Sequence, residues 1–215
     1  MPDLNKAKKR TLPPPATSHY VMRSGRTKMM YMIDLRKAKR WIAPVVAAAL
    51  VFAAGCLICR AAFPKGYSSI VERSAAEFGV DEKLIYAVIH TESGFDPTAR
   101  SSAGAVGLMQ LMPETFGWLQ TKLPPEGGVL DAGTPEDPEI NIRYGTLYLS
   151  MLMEKFGDER LAVAAYHAGQ NKVQSWIDDG LIAPGTGVSD IPSSATSHYV
   201  MKVERAKKMY NFIYS

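Results

Sequence analysis

The chain has 215 residues, enough for one domain plus additional segments, and its apolar share of 47% is ordinary for a globular protein that carries a membrane segment. The formal net charge of +4 is unevenly spread: residues 1–40 hold eleven Lys/Arg against two Asp/Glu, a net of +9, which leaves fourteen basic and nineteen acidic residues, a net of −5, for the remainder. The basic excess therefore belongs to the amino end, so it does not argue for a nucleic-acid-binding main domain and points to membrane topology instead.

Residues 1–31 are low in large apolar side chains and broken by Pro13-Pro14-Pro15, so they are expected to form a basic, disordered extension. Within them Ala16-Thr17-Ser18-His19-Tyr20-Val21-Met22 recurs verbatim as Ala195-Thr196-Ser197-His198-Tyr199-Val200-Met201, and the likeness continues to Tyr31 and Tyr210. The expectation is that 1–31 is a remnant of an upstream duplicate of the chain's own end. A deliberate lipid-binding extension is the alternative.

Residues 32–63 read as a basic cytoplasmic flank and a transmembrane segment. Nineteen uncharged residues run from Trp41 to Cys59, near the length needed to span a bilayer, and the positive flank predicts that the amino end stays inside. A signal anchor is the favoured reading, with a cleaved signal and a lipoprotein signal lipidated at Cys56 as alternatives. Each places the domain outside the cytoplasm. The chain's two cysteines, Cys56 and Cys59, both lie in this run, so the domain beyond it contains no disulfide. Cys-x-x-Cys without a second ligand pair is a weak metal or redox signal.

From residue 64 onward the period is helical. Helices are expected over 67–78, 81–93, 113–122 with Pro113 at its first position, 138–156, 159–168, 171–178 and 196–214. The loops between them include a Pro/Gly-rich stretch over 123–135 and a second over 180–192. No run alternates at period 2, so residues 64–215 form a mainly α domain with a single core.

The most informative stretch is 91–113. Ile85, Val88 and Ile89 make the apolar stripe of the 81–93 helix, and Glu92 continues that stripe into the last turn. The helix dipole there disfavours a negative charge, and burial favours the neutral acid. A carboxyl held neutral near pH 7 can serve as a general acid; a frayed, solvated helix end is the other reading. After it, Gly104 and Gly107 allow close backbone approach, and Gln110 is an amide in an apolar run that calls for a specific partner. Asp96 before Pro97 reads as a turn residue, Glu114 as a first-turn charge, and Glu136, Asp137 and Glu139 as helix caps, so Glu92 has no evident carboxylate companion.

Glu92-Ser93-Gly94-Phe95, then Ser101-Ser102-Ala103-Gly104-Ala105-Val106-Gly107-Leu108-Met109-Gln110-Leu111-Met112-Pro113, then Ala165-Tyr166-His167-Ala168-Gly169 resemble the motifs of the soluble-lytic-transglycosylase-like family, a relative of goose-type lysozyme. The likeness runs from about residue 67 to 213. It implies a lysozyme-like catalytic domain that cleaves the β-1,4 bond between N-acetylmuramic acid and N-acetylglucosamine in peptidoglycan. The sugar's own 6-hydroxyl then closes on C1, giving a 1,6-anhydro end. The resemblance implies Glu92 as acid and base, with Ser101, Gln110, Met112, Tyr166 and His167 lining the sugar site. It implies no cofactor or metal, and a monomer acting on glycan strands while held to the cytoplasmic membrane through residues 41–63.

Two departures stand out. The family usually has Asn where this chain has His167, and Glu-Thr-Arg-x-Tyr-Val where it reads Ala195-Thr196-Ser197-His198-Tyr199-Val200. These leave open a hydrolytic muramidase, whose second carboxylate would come from 123–139, and a weakly active or inactive glycan-binding module.

Overall fold

In the computed structural model, residues 35–125, 130 and 134–215 are described, with side chains from residue 41. The expectations for 1–31 and for most of the Pro/Gly-rich loop fall outside these residues. The chain divides into two units, 1–47 and 48–215; of the first, only the helical stretch 35–47 is described.

Eight helices are described: α1 (Leu35–Ala62), α2 (Ser68–Phe78), α3 (Glu82–Glu92), α4 (Pro113–Lys122), α5 (Pro138–Phe156), α6 (Glu159–Ala168), α7 (Gln170–Asp178) and α8 (Ser194–Ile213). The domain is mostly helical, as its period predicted. Pairing of extended chain among the described residues is confined to two isolated bridges, Arg100 with Val106 and Val106 with Leu111.

The local signals explain the boundaries. Asp81 caps α3 by accepting from the Lys83 amide at 2.9 Å, and Asp158 caps α6 through the Leu161 amide at 2.9 Å. Asp137 caps α5 by accepting from the Glu139 and Ile140 amides at 2.8 and 3.1 Å. Each satisfies donors that a helix start leaves unpaired. Helix α8 starts two residues earlier than its apolar pattern indicates, because Ser193 accepts from the Thr196 amide and acts as the cap. The expected 180–192 loop contains one short 3-10 turn, Val188–Asp190.

Helix α1 runs past Cys59 to Ala62, and Trp41–Ala62 is long and apolar enough to cross a membrane. In the second unit, α3 lies against α8, α5 packs on α2 and α6, and α6 also touches α8. Ile85, Val88, Ile142, Leu149, Val200 and Tyr210 are among the side chains they bury. The α3–α8 contact matters most for the site, because it brings residues about a hundred positions apart onto one carboxyl.

Candidate active site

Glu92 is the last residue of α3 and follows Ile85, Val88 and Ile89 along its buried face. Its Oε1 accepts a hydrogen bond from the Tyr199 hydroxyl on α8 at 2.6 Å. Burial pushes the Glu92 carboxyl up to about 7, and the Tyr199 bond opposes that shift without cancelling it. The frayed, solvated end considered from the sequence is thus not what forms.

Two phenols, the buried Tyr199 and the partly buried Tyr166, share this centre. Tyr199 is held well above the usual tyrosine range by burial and by the Glu92 charge and hydrogen bond. Tyr166 is raised likewise, by burial and then by the Glu92 charge, and donates to the Met109 carbonyl at 2.8 Å. His167 lies with its ring on Tyr199, centroids 4.6 Å apart, and its Nδ1 is 3.3 Å from Thr196 Oγ1. Burial lowers its affinity for a proton, so the neutral imidazole is favoured at pH 7.

The glycine segment forms the wall beside Glu92. Ser93 Oγ donates to the Leu108 carbonyl at 2.8 Å, tying the end of α3 to the loop. The fully buried Asn141 of α5 accepts from the Met109 amide at 2.6 Å and donates to the Val106 and Pro135 carbonyls at 2.9 and 2.7 Å. Gly107, with φ of 81°, is required there: a Cβ would run into the Asn141 amide nitrogen and stand 2.5 Å from the Pro135 oxygen. Gly145 plays the matching part on α5, where a Cβ would stand 2.5 Å from Met109 Sδ.

The partner expected for Gln110 is the loop itself. Its φ is 47°, and its Nε2 donates to the Ala99 and Gly107 carbonyls at 3.0 and 2.9 Å. Ser101 Oγ accepts from the Ala105 amide at 3.0 Å and closes the exposed turn at the loop's tip. Met112 is not a core residue. It is exposed at the start of α4, two residues from the rim of an open groove of about 520 Å³ lined by Glu114, Thr115, Trp118, Tyr148, Gly169 and Lys172. Tyr148 leans on Tyr166 with ring centroids 5.3 Å apart, and Trp118 meets Tyr148 edge-on at 6.3 Å. An aromatic path therefore connects the buried centre to the groove.

Four other carboxylates near the loop are committed elsewhere, while Glu114, in the first turn of α4, lines the groove. Asp96 accepts from the Thr98 amide and hydroxyl at 2.9 and 2.8 Å, the turn its position before Pro97 predicted. Glu136 pairs with Arg100, Asp137 caps α5, and Glu139 pairs with Arg73 at 2.9 Å.

A family model described as "Transglycosylase SLT domain" matches residues 69–180, just over half of the chain. The chain belongs to the SLT transglycosylase family. Among its relatives, the soluble lytic murein transglycosylase of Escherichia coli K12 is 33% identical over 153 residues, covering 70% of this chain and 24% of that protein. The membrane-bound lytic murein transglycosylase C of Yersinia pestis is 33% identical over 167 residues, covering 67% of this chain and 46% of that protein. The crystal structure of the 70 kDa soluble lytic transglycosylase of Escherichia coli superimposes with a TM-score of 0.66 at 30% identity, over 72% of this chain and 25% of that one. An inactive Glu-to-Gln mutant of lytic transglycosylase Slt from Pseudomonas aeruginosa gives a TM-score of 0.62 at 32% identity, over 70% and 24%. The chain thus spans about a quarter of the length of the soluble relatives and under half of the membrane-bound one.

Two residues of this candidate site were not singled out as site residues from the sequence. Tyr199 sits inside the repeated Ser-His-Tyr-Val segment, and the family pattern carries a Tyr there, but nothing local shows that it meets a residue 107 positions away. Asn141 had a clearer signal, an amide one position from the α5 apolar stripe, where an unpaired polar group would be costly.

Proposed function

We propose that this chain is a peptidoglycan lytic transglycosylase that cleaves the N-acetylmuramic acid–N-acetylglucosamine bond and leaves a 1,6-anhydro end. The observation that carries the reading is the half-buried Glu92 carboxyl, held near 7 with a tyrosine hydroxyl as its partner and, among the described residues, no cation bonded to it. Such a group can give up a proton at neutral pH and take one back.

In the proposed reaction Glu92 protonates the glycosidic oxygen as the bond from C1 breaks. The muramic acid 6-hydroxyl then bonds to C1 and returns its proton to Glu92. Atoms balance without water, and Glu92 ends as it began. The Tyr199 hydroxyl stabilises the carboxylate between the two proton transfers. We assign Tyr166, Met112 and the His167 edge to the walls of the sugar site, and Gln110 and Ser101 to the loop that shapes it. The domain is read as residues 64–215, a monomer, held to the cytoplasmic membrane through residues 41–63 with the glycan-cutting side outside. The membrane-bound Yersinia relative and the apolar α1 favour that reading.

Mass analysis of peptidoglycan digested by the full chain tests the function. Anhydro ends are expected. Reducing ends would identify a hydrolase, and undigested glycan that retains the protein would identify a binder; either overturns the proposal.

A further inference from the structure

The junction between the apolar helix and the domain is not a loose tether. Phe63 directly follows α1, and its carbonyl accepts from the Tyr214 hydroxyl at 2.8 Å. The Pro64 carbonyl accepts from the Tyr210 hydroxyl at 3.0 Å. The Phe63 ring lies on His90 of α3, centroids 4.7 Å apart, and meets Tyr210 edge-on at 5.6 Å. The Lys65 ammonium sits 5.3 Å from the Tyr86 ring centroid and 5.2 Å from that of Tyr214. Three consecutive residues are thus clamped to both α3 and α8.

The clamp brings the end of α8 beside the last turns of α1. Phe212, at 79% exposure the most exposed large apolar side chain among the described residues, faces an open apolar notch of about 550 Å³. Ile213 joins it on the α8 side; Phe52, Gly55, Cys56, Cys59 and Arg60 supply the other side. Four of those five α1 residues are uncharged and lie within the stretch that can cross a membrane. A notch so lined faces acyl chains wherever that stretch is in a bilayer, and Arg60 at its edge suits a lipid phosphate.

We propose that the end of α8 is a lipid-contact surface. Phe212 and Ile213 dip into the leaflet beside the emerging helix, and the notch between them is filled by lipid. The proposal rests on the membrane reading above. Its consequence is reach: His90, in ring contact with Phe63, is two residues from Glu92, so the acid stands on the order of 10 Å from the junction at 1.5 Å of helix rise per residue plus the ring contact. The substrate is then the glycan lying against the membrane rather than distant layers.

The test uses the full chain, with Cys56→Ala and Cys59→Ala, in vesicles of phosphatidylglycerol and phosphatidylcholine with brominated acyl chains. A fluorophore is placed singly at Phe52→Cys, Phe212→Cys or Ser194→Cys; Ser194 lies about 27 Å from Phe212 along α8 by helix rise. Strong quenching at 52, clear quenching at 212 and little at 194 is the expected result. Quenching at 212 no greater than at 194 overturns the lipid contact while leaving the anchor intact. No quenching at 52 overturns the membrane reading and this proposal together. A failure of the catalytic reading shows itself separately, as an absence of glycan products with the quenching pattern unchanged. As a second readout, Phe212→Asp should slow cleavage of lipid-linked glycan in vesicles several-fold and leave cleavage of isolated sacculi unchanged; equal rates on both substrates relative to the parent would also overturn it.

Discussion

Helices α3 and α8 meet twice through a carboxylate, and the two ends of α3 treat it in opposite ways. At the amino end, Asp81 caps α3 and pairs with Lys207 of α8 at 3.1 Å, and Lys207 also reaches Glu159 of α6 at 2.7 Å. Burial works against the Asp81 charge, but the Lys83 amide and the Lys207 ammonium outweigh it, so its carboxyl lies below the usual range. At the carboxyl end, burial again raises the carboxyl, and a phenol rather than an ammonium answers it, so Glu92 rises to about 7. One pair of helices thus builds a structural carboxylate at one end and an acid at the other. The difference is a cation at one end, a neutral hydroxyl at the other, and the sign of the dipole each carboxylate meets.

The sharpest break of this contrast is Glu92→Gln, which keeps the shape and removes the proton. Lytic activity should fall by roughly 10²–10⁴-fold, the usual worth of general acid–base catalysis, while the helical circular dichroism is unchanged. Near wild-type rates of anhydro product would sink the assignment. The linkage sign supplies an independent check. A carboxyl whose folded value is raised favours the folded state at low pH, and that contribution is lost as pH rises from 4.5 through about 7. The Gln variant escapes this loss, so at pH 8 denaturant unfolding should show it more stable than the parent, by roughly 3 kcal/mol.

Tyr199→Phe tests the neutral partner. For the parent, kcat/KM should decline with rising pH through about 7, as the acid form of Glu92 is lost. Removing the hydroxyl that stabilises the carboxylate should move that decline upward by about one pH unit, the size of a hydrogen bond to a charged group. A downward shift would show that Tyr199 serves the protonated form instead.

Lys207→Met tests the other end. It should cost about 1 kcal/mol, since Asp81 is partly exposed and its pairing is screened, and leave turnover unchanged. The sign follows from both partners. The Asp81 share is present above 3.8 and lost as pH falls through its lower folded value. The Lys207 share is present below 10.5 and lost as pH rises through its raised folded value. Denaturant midpoints of parent and variant should therefore differ between about pH 4 and 10.5 and converge outside that window. A large loss of activity in this variant would mean that the two ends are coupled.

The smallest effect is expected from Ala195→Glu. Ala195 is exposed in the first turn of α8, where a negative charge is favoured by a few tenths of a kcal/mol and where the motif this segment resembles often has Glu. A change of a few-fold in rate, or altered product lengths by mass analysis, is expected. Identical kinetics and products would show that this departure is neutral.

Much of the molecule was legible in the chain because its cues are local. Asp137 and Pro113 announced two helix starts, and the 3.6-residue stripe through Ile85, Val88 and Ile89 pointed at Glu92. The apolar run around Gln110 flagged it as an amide needing a partner, and the partner proved to be the loop's own backbone. Tyr199, Asn141 and the Phe63 clamp were not legible, because each acts on a residue far away in sequence.

What the sequence determined by itself is the placement of helices, the apolar stretch that can cross a membrane and the position of a carboxyl on a buried helix face. All of these follow from spacing along a backbone of known pitch. What the tertiary structure decided is the chemical state of that carboxyl. Its proton affinity depends on how much water the α3–α8 contact excludes and on whether a phenol or an ammonium arrives from the other helix. Desolvation and hydrogen bonding act through space, over a few ångströms, between residues that no local pattern relates.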